Sequence, residues 1–358
     1  MIIEHRTIFF TVFFLLTLLV SFFVTKVVRH LAERFGIRDY PDVDRKIHRS
    51  PMPKLGGLAI YASFLASVLV LAAFGGTNEI SALRIVGLLL GGGILIAGGI
   101  LDDKYDLPAK KQIWFPVAAA LLVVLSGTHI SFITNPFGGN IILDQYKLLD
   151  YPVFGSLLVF GWILVIIYTT KFLDGMDGLV SGISGIAGLV IFGLSLAPQV
   201  NQSSTAFLAL IFAAACFGFL PRNFFPAKIF LGEGGSTFTG FAIAVLAVIS
   251  GAKIATALLV LGIPLLDAAW VIVRRLWFGA SPFVADKKHL HFRLLDTGLT
   301  QRQAVVFLYA LAAIFGGVAV FLQSLGKLVA LIILGAVMLV VAMGVVILNV
   351  KFKNQNSK

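Results

Sequence analysis

The polar chemistry of this sequence sits in a few short segments between long apolar runs. KFLDGMDGLV, residues 171–180, sets Asp174 and Asp177 three positions apart, each followed by glycine. If a helix begins there the two carboxylates share a face, and Gly175 and Gly178 leave room for a ligand to approach. Hard oxygen donors suit Mg²⁺, which keeps several waters and shares its coordination with substrate phosphates. Helix capping alone would need one carboxylate, so the second argues for a metal. GGILDDKYDLPAKKQ, residues 98–112, places Asp102 and Asp103 side by side at an expected helix end. Adjacent carboxylates there repel and lose solvation unless a cation compensates. A divalent ion would serve, as would Lys104, Lys110 and Lys111 in a solvated helix end.

Three further segments carry candidate groups. KIFLGEGGSTFTGF, residues 228–241, presents Glu233 in a glycine-rich turn that opens an apolar run. The amides of such a turn attract phosphate, and Glu233 could complete a metal site, although glycine turns before helices are common. Phe230 offers a ring for a base or an anchor at the membrane interface. DRKIHRSPMPKLGG, residues 44–57, gathers Arg45, Lys46, His48, Arg49 and Lys54. It reads as a diphosphate-binding loop or as a basic loop facing anionic headgroups. ADKKHLHFRLLDTGLTQRQA, residues 285–304, holds His289 and His291 among Lys287, Lys288 and Arg293. In an extended loop both imidazoles would point one way, toward a phosphate or leaving group; two exposed loop histidines are the plainer reading. Zinc is disfavoured by the nearby cations and the lack of a neighbouring cysteine. Asp267 lies within an apolar run, where an acid is a functional candidate or an internal ion-pair partner.

The elements that must position these groups are membrane helices. Of 358 residues, 59% are hydrophobic and 13% charged, with mean hydropathy +0.98, which excludes a soluble fold. A helix needs about 20 apolar residues to cross a bilayer. Such runs predict an all-α polytopic membrane protein of about eleven transmembrane helices: 8–25, 56–75, 84–101, 113–128, 153–170, 179–197, 205–220, 236–250, 255–273, 304–322 and 328–350. The whole of 1–358 reads as one integral-membrane domain with a short tail at 351–358. The run from Ile8 to Val24 lacks the basic leader and cleavage site of a signal peptide and reads as a retained first helix. The lone Cys216 excludes an internal disulfide framework.

Net charge is +11, which topology explains better than nucleic acid does. With the N-terminus outside and the C-terminus cytoplasmic, all of the 28 Lys and Arg fall on the cytoplasmic side except Arg6, Arg84, Lys147, Lys253 and Lys327. The candidate acids and histidines fall on that side too. The longest outer loop, 129–152, has turn signals at Asn135-Pro136 and Gly138-Gly139 that predict a short hairpin.

Taken together, RKIHRSPMPKLGG, DDKYDLPAKKQ, FLDGMDGL, FLGEGGS and HLHFRL resemble the polyprenyl-phosphate N-acetylhexosamine-1-phosphate transferases. These are integral membrane enzymes that start bacterial cell-envelope glycans. Eleven spans and a His-x-His-x-Arg loop followed by GLTQRQ look more like the branch using UDP-N-acetylglucosamine than the muramoyl-pentapeptide branch. The resemblance implies transfer of a sugar-1-phosphate from a UDP-sugar to undecaprenyl phosphate with Mg²⁺, or Mn²⁺ as an alternative, and release of UMP. It implies a multi-pass protein of the bacterial inner membrane with its active site facing the cytoplasm, and it allows a homodimer; nucleic acid is not a partner.

By similarity, Asp102 and Asp103 form the catalytic pair and Asp174, Asp177 and Glu233 lie at the metal. Asp174, Asp177, His289 and His291 also count as catalytic. Phe230 stacks on uracil, and Arg45, Lys46, His48, Lys171 and Arg293 bind substrate with the two histidines. Three positions depart from the family's pattern: Lys171 stands where asparagine is usual, Glu233 where aspartate is usual, and Phe292 where a further histidine is frequent. The competing readings are a muramoyl-pentapeptide phosphotransferase, a cation-coupled transporter and an inactive relative acting as a scaffold.

Overall fold

The computed structural model describes residues 2–41, 50–135, 137–148, 151–198, 200–251, 254–277, 279 and 289–355, with 2–5, 148, 151 and 346–355 described by backbone alone. Hydrocarbon offers peptide groups no water, so apolar runs close their hydrogen bonds within helices. In chain order the elements are α1 (Ile2–Arg34), β1 (Arg38–Asp39), β2 (Met52–Pro53), α2 (Gly56–Ala73), α3 (Ala82–Tyr105), α4 (Ala109–Gln112) and α5 (Trp114–Leu125). Then come β3 (Phe132–Thr134), β4 (Asn140–Ile142), β5 (Lys147–Leu148), β6 (Tyr151–Pro152), α6 (Val153–Leu173), α7 (Leu179–Leu196) and α8 (Ser203–Asn223). The chain continues with α9 (Gly232–Ile249), α10 (Ile254–Val260), α11 (Gly262–Trp277), α12 (Leu290–Asp296), α13 (Gln301–Phe321) and α14 (Ser324–Gln355).

This is an all-α polytopic membrane protein, and its helices differ from the expected eleven spans in two places. Among the described residues nine helices are long and apolar enough to cross a bilayer, and α10 with α11 makes a tenth if the pair crosses as one. The expected span 113–128 is the 12-residue α5, about 18 Å long at 1.5 Å per residue, well short of a hydrocarbon core of about 30 Å. The expected span 255–273 is bent by 80° between α10 and α11. Pro264 explains the bend, because it has no N–H for the Val260 carbonyl and its ring crowds that turn.

Outside the helices, the described residues form three two-stranded antiparallel ribbons. The hairpin predicted in the 129–152 loop is β3–β4, with Ile133 opposite Ile141. Its turn is closed by the Asn135 amide donating to the Gly139 carbonyl at 3.0 Å, with Gly138 and Gly139 at positive φ.

At the centre stands α9, whose apolar window is 94% buried, against 17% for α1 and 22% for α14 on the periphery. Helices α2, α3, α6, α7 and α8 pack around it. Phe238 of α9 is fully buried and meets Tyr61, Phe64 and Phe212 with ring centroids 5.2, 6.0 and 6.3 Å away. The first turn of α9 approaches its neighbours backbone to backbone. A methyl group added at Gly99 would overlap Gly234 Cα, and one at Gly57 would overlap Gly235 Cα.

Candidate functional site

Because α9 lies so close to α2 and α3, its acidic first turn meets the C-terminal turn of α3. Asp102 Oδ1 accepts the Leu107 amide at 3.0 Å and Gln112 Nε2 at 2.6 Å. Gln112 Oε1 in turn accepts Lys171 Nζ at 2.9 Å, and Lys171 Nζ reaches Glu233 Oε1 at 2.6 Å. Asp102, Gln112, Lys171 and Glu233 therefore form one continuous polar chain across α3, α4, α6 and α9. The Asp103 side chain, 4% exposed, accepts the Glu233 amide at 3.1 Å on one oxygen and 3.3 Å on the other. Its charge stands at the positive N-terminal end of α9. Lys54 Nζ lies 3.6 Å from Asp103 and 3.2 Å from Asp39. Burial works against the Lys54 ammonium, but Asp103 and Asp39 outweigh it and raise its pKa above the ordinary lysine value.

Phe230 is half-buried and tied by its backbone to the segment that opens α2. Its amide donates to the Pro53 carbonyl at 2.8 Å and its carbonyl accepts the Gly56 amide at 2.9 Å. This pairing sets the stacking candidate beside Lys54 and Asp103.

The Asp174–Asp177 segment is a turn rather than a helix start: α6 ends at Leu173 and α7 begins at Leu179. The expectation that both carboxylates share a helix face is not met, because neither lies in a helix, although the Asp177 charge still acts on Asp174. Asp177 Oδ2 accepts the Ala227 amide at 3.0 Å. Asp174 is open to solvent on one side with protein crowded around the rest; burial, then Glu233 and Asp103, push its pKa up to about 8. The Lys54 charge acts against these three causes without cancelling them. A methyl added at Gly175, beside Asp174, would displace the His291 ring.

The histidine segment also differs from the extended loop expected. His289 is extended and caps the short helix α12, which contains His291 and Arg293. The imidazoles nevertheless stack, with centroids 5.6 Å apart and planes 8° from parallel, and Phe172 stacks on the outer face of His289 at 6.1 Å. Asp267, whose role the sequence left open, supplies the anchor. Its Oδ2 lies 2.9 Å from His289 Nδ1, and its Oδ1 accepts the Leu290 amide at 2.8 Å. His291 Nε2 is buried without a hydrogen-bond partner and faces the Asp174–Asp177 turn; burial holds its pKa down at about 4, so the ring is neutral. Arg293 is half-buried one position beyond Phe292.

Among the described residues no three His, Cys, Asp or Glu side chains stand ready to enclose a metal ion. The donors fit an ion that takes few protein ligands and completes its shell with water and phosphate. Asp174 is exposed and close enough to Glu233 to feel its charge, and the orphaned His291 Nε2 lies behind it. Arg45, Lys46 and His48 lie outside the described residues, as do Lys287 and Lys288. Sequence reading gave no role to Gln112 or to Asp39. Gln112 closes the quoted DDKYDLPAKKQ segment, and a neutral amide at the end of a charged interfacial run was the available signal.

Residues 85–251 match the family model described as glycosyl transferase family 4, and this stretch carries Asp102, Asp103, Lys171, Asp174, Asp177 and Glu233. The chain is 33% identical over 332 residues to a probable undecaprenyl-phosphate N-acetylglucosaminyl 1-phosphate transferase of Bacillus subtilis, covering 90% of this chain and 87% of the relative. It is 33% identical over 318 residues to the decaprenyl-phosphate N-acetylglucosaminephosphotransferase of Mycolicibacterium smegmatis, covering 81% and 76%. An undecaprenyl-phosphate alpha-N-acetylglucosaminyl 1-phosphate transferase of Escherichia coli K12 is 29% identical over 324 residues, covering 87% and 82%. With this likeness running through nearly the whole bundle and the clustered carboxylates alike, the chain belongs to glycosyl transferase family 4, the polyprenyl-phosphate N-acetylhexosamine-1-phosphate transferases.

Proposed function

We propose that the protein transfers N-acetylglucosamine-1-phosphate from UDP-N-acetylglucosamine to undecaprenyl phosphate at the cytoplasmic face of a bacterial inner membrane. The observation that carries this reading is the gathering of Asp102, Asp103, Lys171, Asp174, Glu233, His289 and His291 at one end of the bundle, from segments far apart in sequence. The names of the relatives support the sugar and the polyprenyl acceptor. The Lys and Arg distribution supports the orientation. The ends of membrane helices are where a lipid phosphate arriving from the bilayer can meet a soluble nucleotide.

In the reaction an oxygen of the lipid phosphate attacks the phosphorus that bears the sugar. A new P–O bond forms as the bond to the UMP phosphate breaks, and UMP leaves with that electron pair. Both reactants are anionic, so the residues' task is to offset repulsion and hold geometry. A Mg²⁺ or Mn²⁺ ion held by Asp174, with Glu233 and Asp177 near it, would neutralise the diphosphate. Lys171, Arg293 and the basic residues Arg45, Lys46 and His48 meet the remaining phosphate charge, with His289 and His291 alongside. Phe230 receives the uracil. Asp103 holds the first turn of α9, and Asp102 holds Gln112, so this catalytic pair also builds the floor of the site. A homodimer is compatible with this reading.

Purified protein given undecaprenyl phosphate, Mg²⁺ and a panel of UDP-sugars will release UMP with UDP-N-acetylglucosamine and stop when EDTA removes the metal. Release only with UDP-muramoyl-pentapeptide would move it to the other branch. No release with any sugar, while nucleotide and lipid still bind, would make it a scaffold.

A further inference from the structure

Lys171 and Glu233, which stood out in the sequence as a cation and a glutamate inside the acidic segments, touch each other. Lys171 lies on the last turn of α6 and Glu233 on the first turn of α9, 62 residues further on, and their charged atoms are 2.6 Å apart. The side chains are 24% and 20% exposed, so the pair is sheltered from water. The backbones beneath them are clamped. Thr170 Oγ1 donates to the Ser236 carbonyl at 2.8 Å, Trp162 Nε1 donates to the Ala244 carbonyl at 3.1 Å, and a methyl at Gly240 would overlap Thr170 Oγ1. With α6 and α9 locked together, contact depends on side-chain reach, and glutamate supplies one methylene more than aspartate.

The charges around the pair are unevenly matched. Asp102, Asp103, Asp174 and Glu233 are among the carboxylates at this end of the bundle, with Asp39 and Asp177 beside them. Lys54 faces Asp103 and Asp39, while Lys171 faces Glu233 and, through Gln112, Asp102. Asp174 is exposed to solvent, with no described lysine or arginine paired to it alone and the Lys54 charge shared with Asp103 and Asp39. We infer that Lys171 and Glu233 act as one unit in which the lysine ammonium is the resident counter-ion of Glu233, competing with a divalent ion and leaving Asp174 as its main protein ligand. The inference rests on the carboxylate cluster being a divalent-ion site, as in the proposed function. An ammonium bound at 2.6 Å opposes a second cation at the same carboxylate, so the pair sets how tightly the site holds the ion.

The test is direct titration of purified full-length protein in detergent with Mn²⁺ alone, free ion being read by electron paramagnetic resonance. Lys171→Gln, which frees Glu233, will bind Mn²⁺ about tenfold tighter than wild type, or about 1.4 kcal/mol. Glu233→Gln, which leaves the ammonium unpaired, will bind it more weakly. The Lys171→Gln/Glu233→Gln double variant, with the net charge of the wild type, will return close to wild-type affinity. Lys171→Arg, which keeps the charge, and size-exclusion profiles of every variant separate this effect from misfolding. Half-maximal UMP release in Lys171→Gln will shift to lower Mg²⁺ by a similar factor. Unchanged Mn²⁺ affinity in Lys171→Gln, with binding still lost in Asp174→Asn, would overturn the pairing and leave the ion site standing. No Mn²⁺ binding by any form, wild type included, would overturn both the pairing and the metal. Mn²⁺ affinities that shift as stated without UMP release would uphold the pairing and overturn only the transfer reaction.

Discussion

A single acid, Asp267, shows how much of this site depends on residues that never need to meet a substrate. Its two oxygens do different work: one faces His289 Nδ1 and the other takes the Leu290 amide. A carboxylate on Nδ1 keeps the proton there, fixes the ring's orientation and leaves Nε2 as the acceptor nitrogen. The stacked His291 and Phe172 then hold the imidazole plane. Asp267→Asn keeps an oxygen for the Leu290 amide but removes the charge from His289. Turnover is expected to fall about 10–100-fold with little change in thermal stability, and Asp267→Glu should recover part of it. The ¹⁵N shifts of His289 will report altered tautomer populations in Asp267→Asn. Unchanged shifts and unchanged turnover would remove the orienting role.

Among the helices, the first turn of α9 decides the site's dimensions. Gly234 and Gly235 let α9 settle against Gly99 of α3 and Gly57 of α2 with no side chain between the backbones. That closeness allows Asp103 to reach the Glu233 amide. Gly99→Ala would drive a methyl into the Gly234 backbone, where no rotamer change gives relief. The expected cost is about 1–3 kcal/mol in detergent melts, with activity lost as Asp102 and Asp103 move from Glu233. Gly161→Ala in α6 is the matched control, since nothing lies within 4 Å of its added methyl and helix propensity favours alanine by roughly 0.5–1 kcal/mol. Equal melting and activity in the two variants would show that the contact does not set the spacing. The bend at α10–α11 acts at the same scale, since it re-aims α11, which carries Asp267 beneath His289.

For the molecule as a whole, the proposed orientation, with the carboxylate end of the bundle inward, rests on the distribution of Lys and Arg and is open to direct test. The native Cys216 is fully buried, so a cysteine introduced at the surface can be labelled without background. Phe137, 84% exposed at the tip of the β3–β4 hairpin, and Tyr105, 62% exposed at the end of α3, lie on opposite faces in this orientation. In intact cells a membrane-impermeant maleimide will label Phe137→Cys and spare Tyr105→Cys until the membrane is opened. The reverse pattern would invert the topology and place the site outside.

Local chemistry, legible along the chain, set the apolar helices, their polar ends, the β3–β4 hairpin and the inventory of carboxylates and histidines. Each of these follows from the transfer free energy or turn preference of a short window, and such windows are read one at a time. The packed fold was needed to show that Asp174 and Asp177 sit in a turn rather than on a helix, that α5 stops short, and that Asp267 belongs to His289. The same holds for Lys171, which could be seen in the sequence as an unusual cation and Glu233 as an unusual acid. Their pairing depends on which helix ends become neighbours and on side chains meeting within about 3 Å. That distance is fixed by glycine contacts between helices far apart in the chain, and no single window contains it.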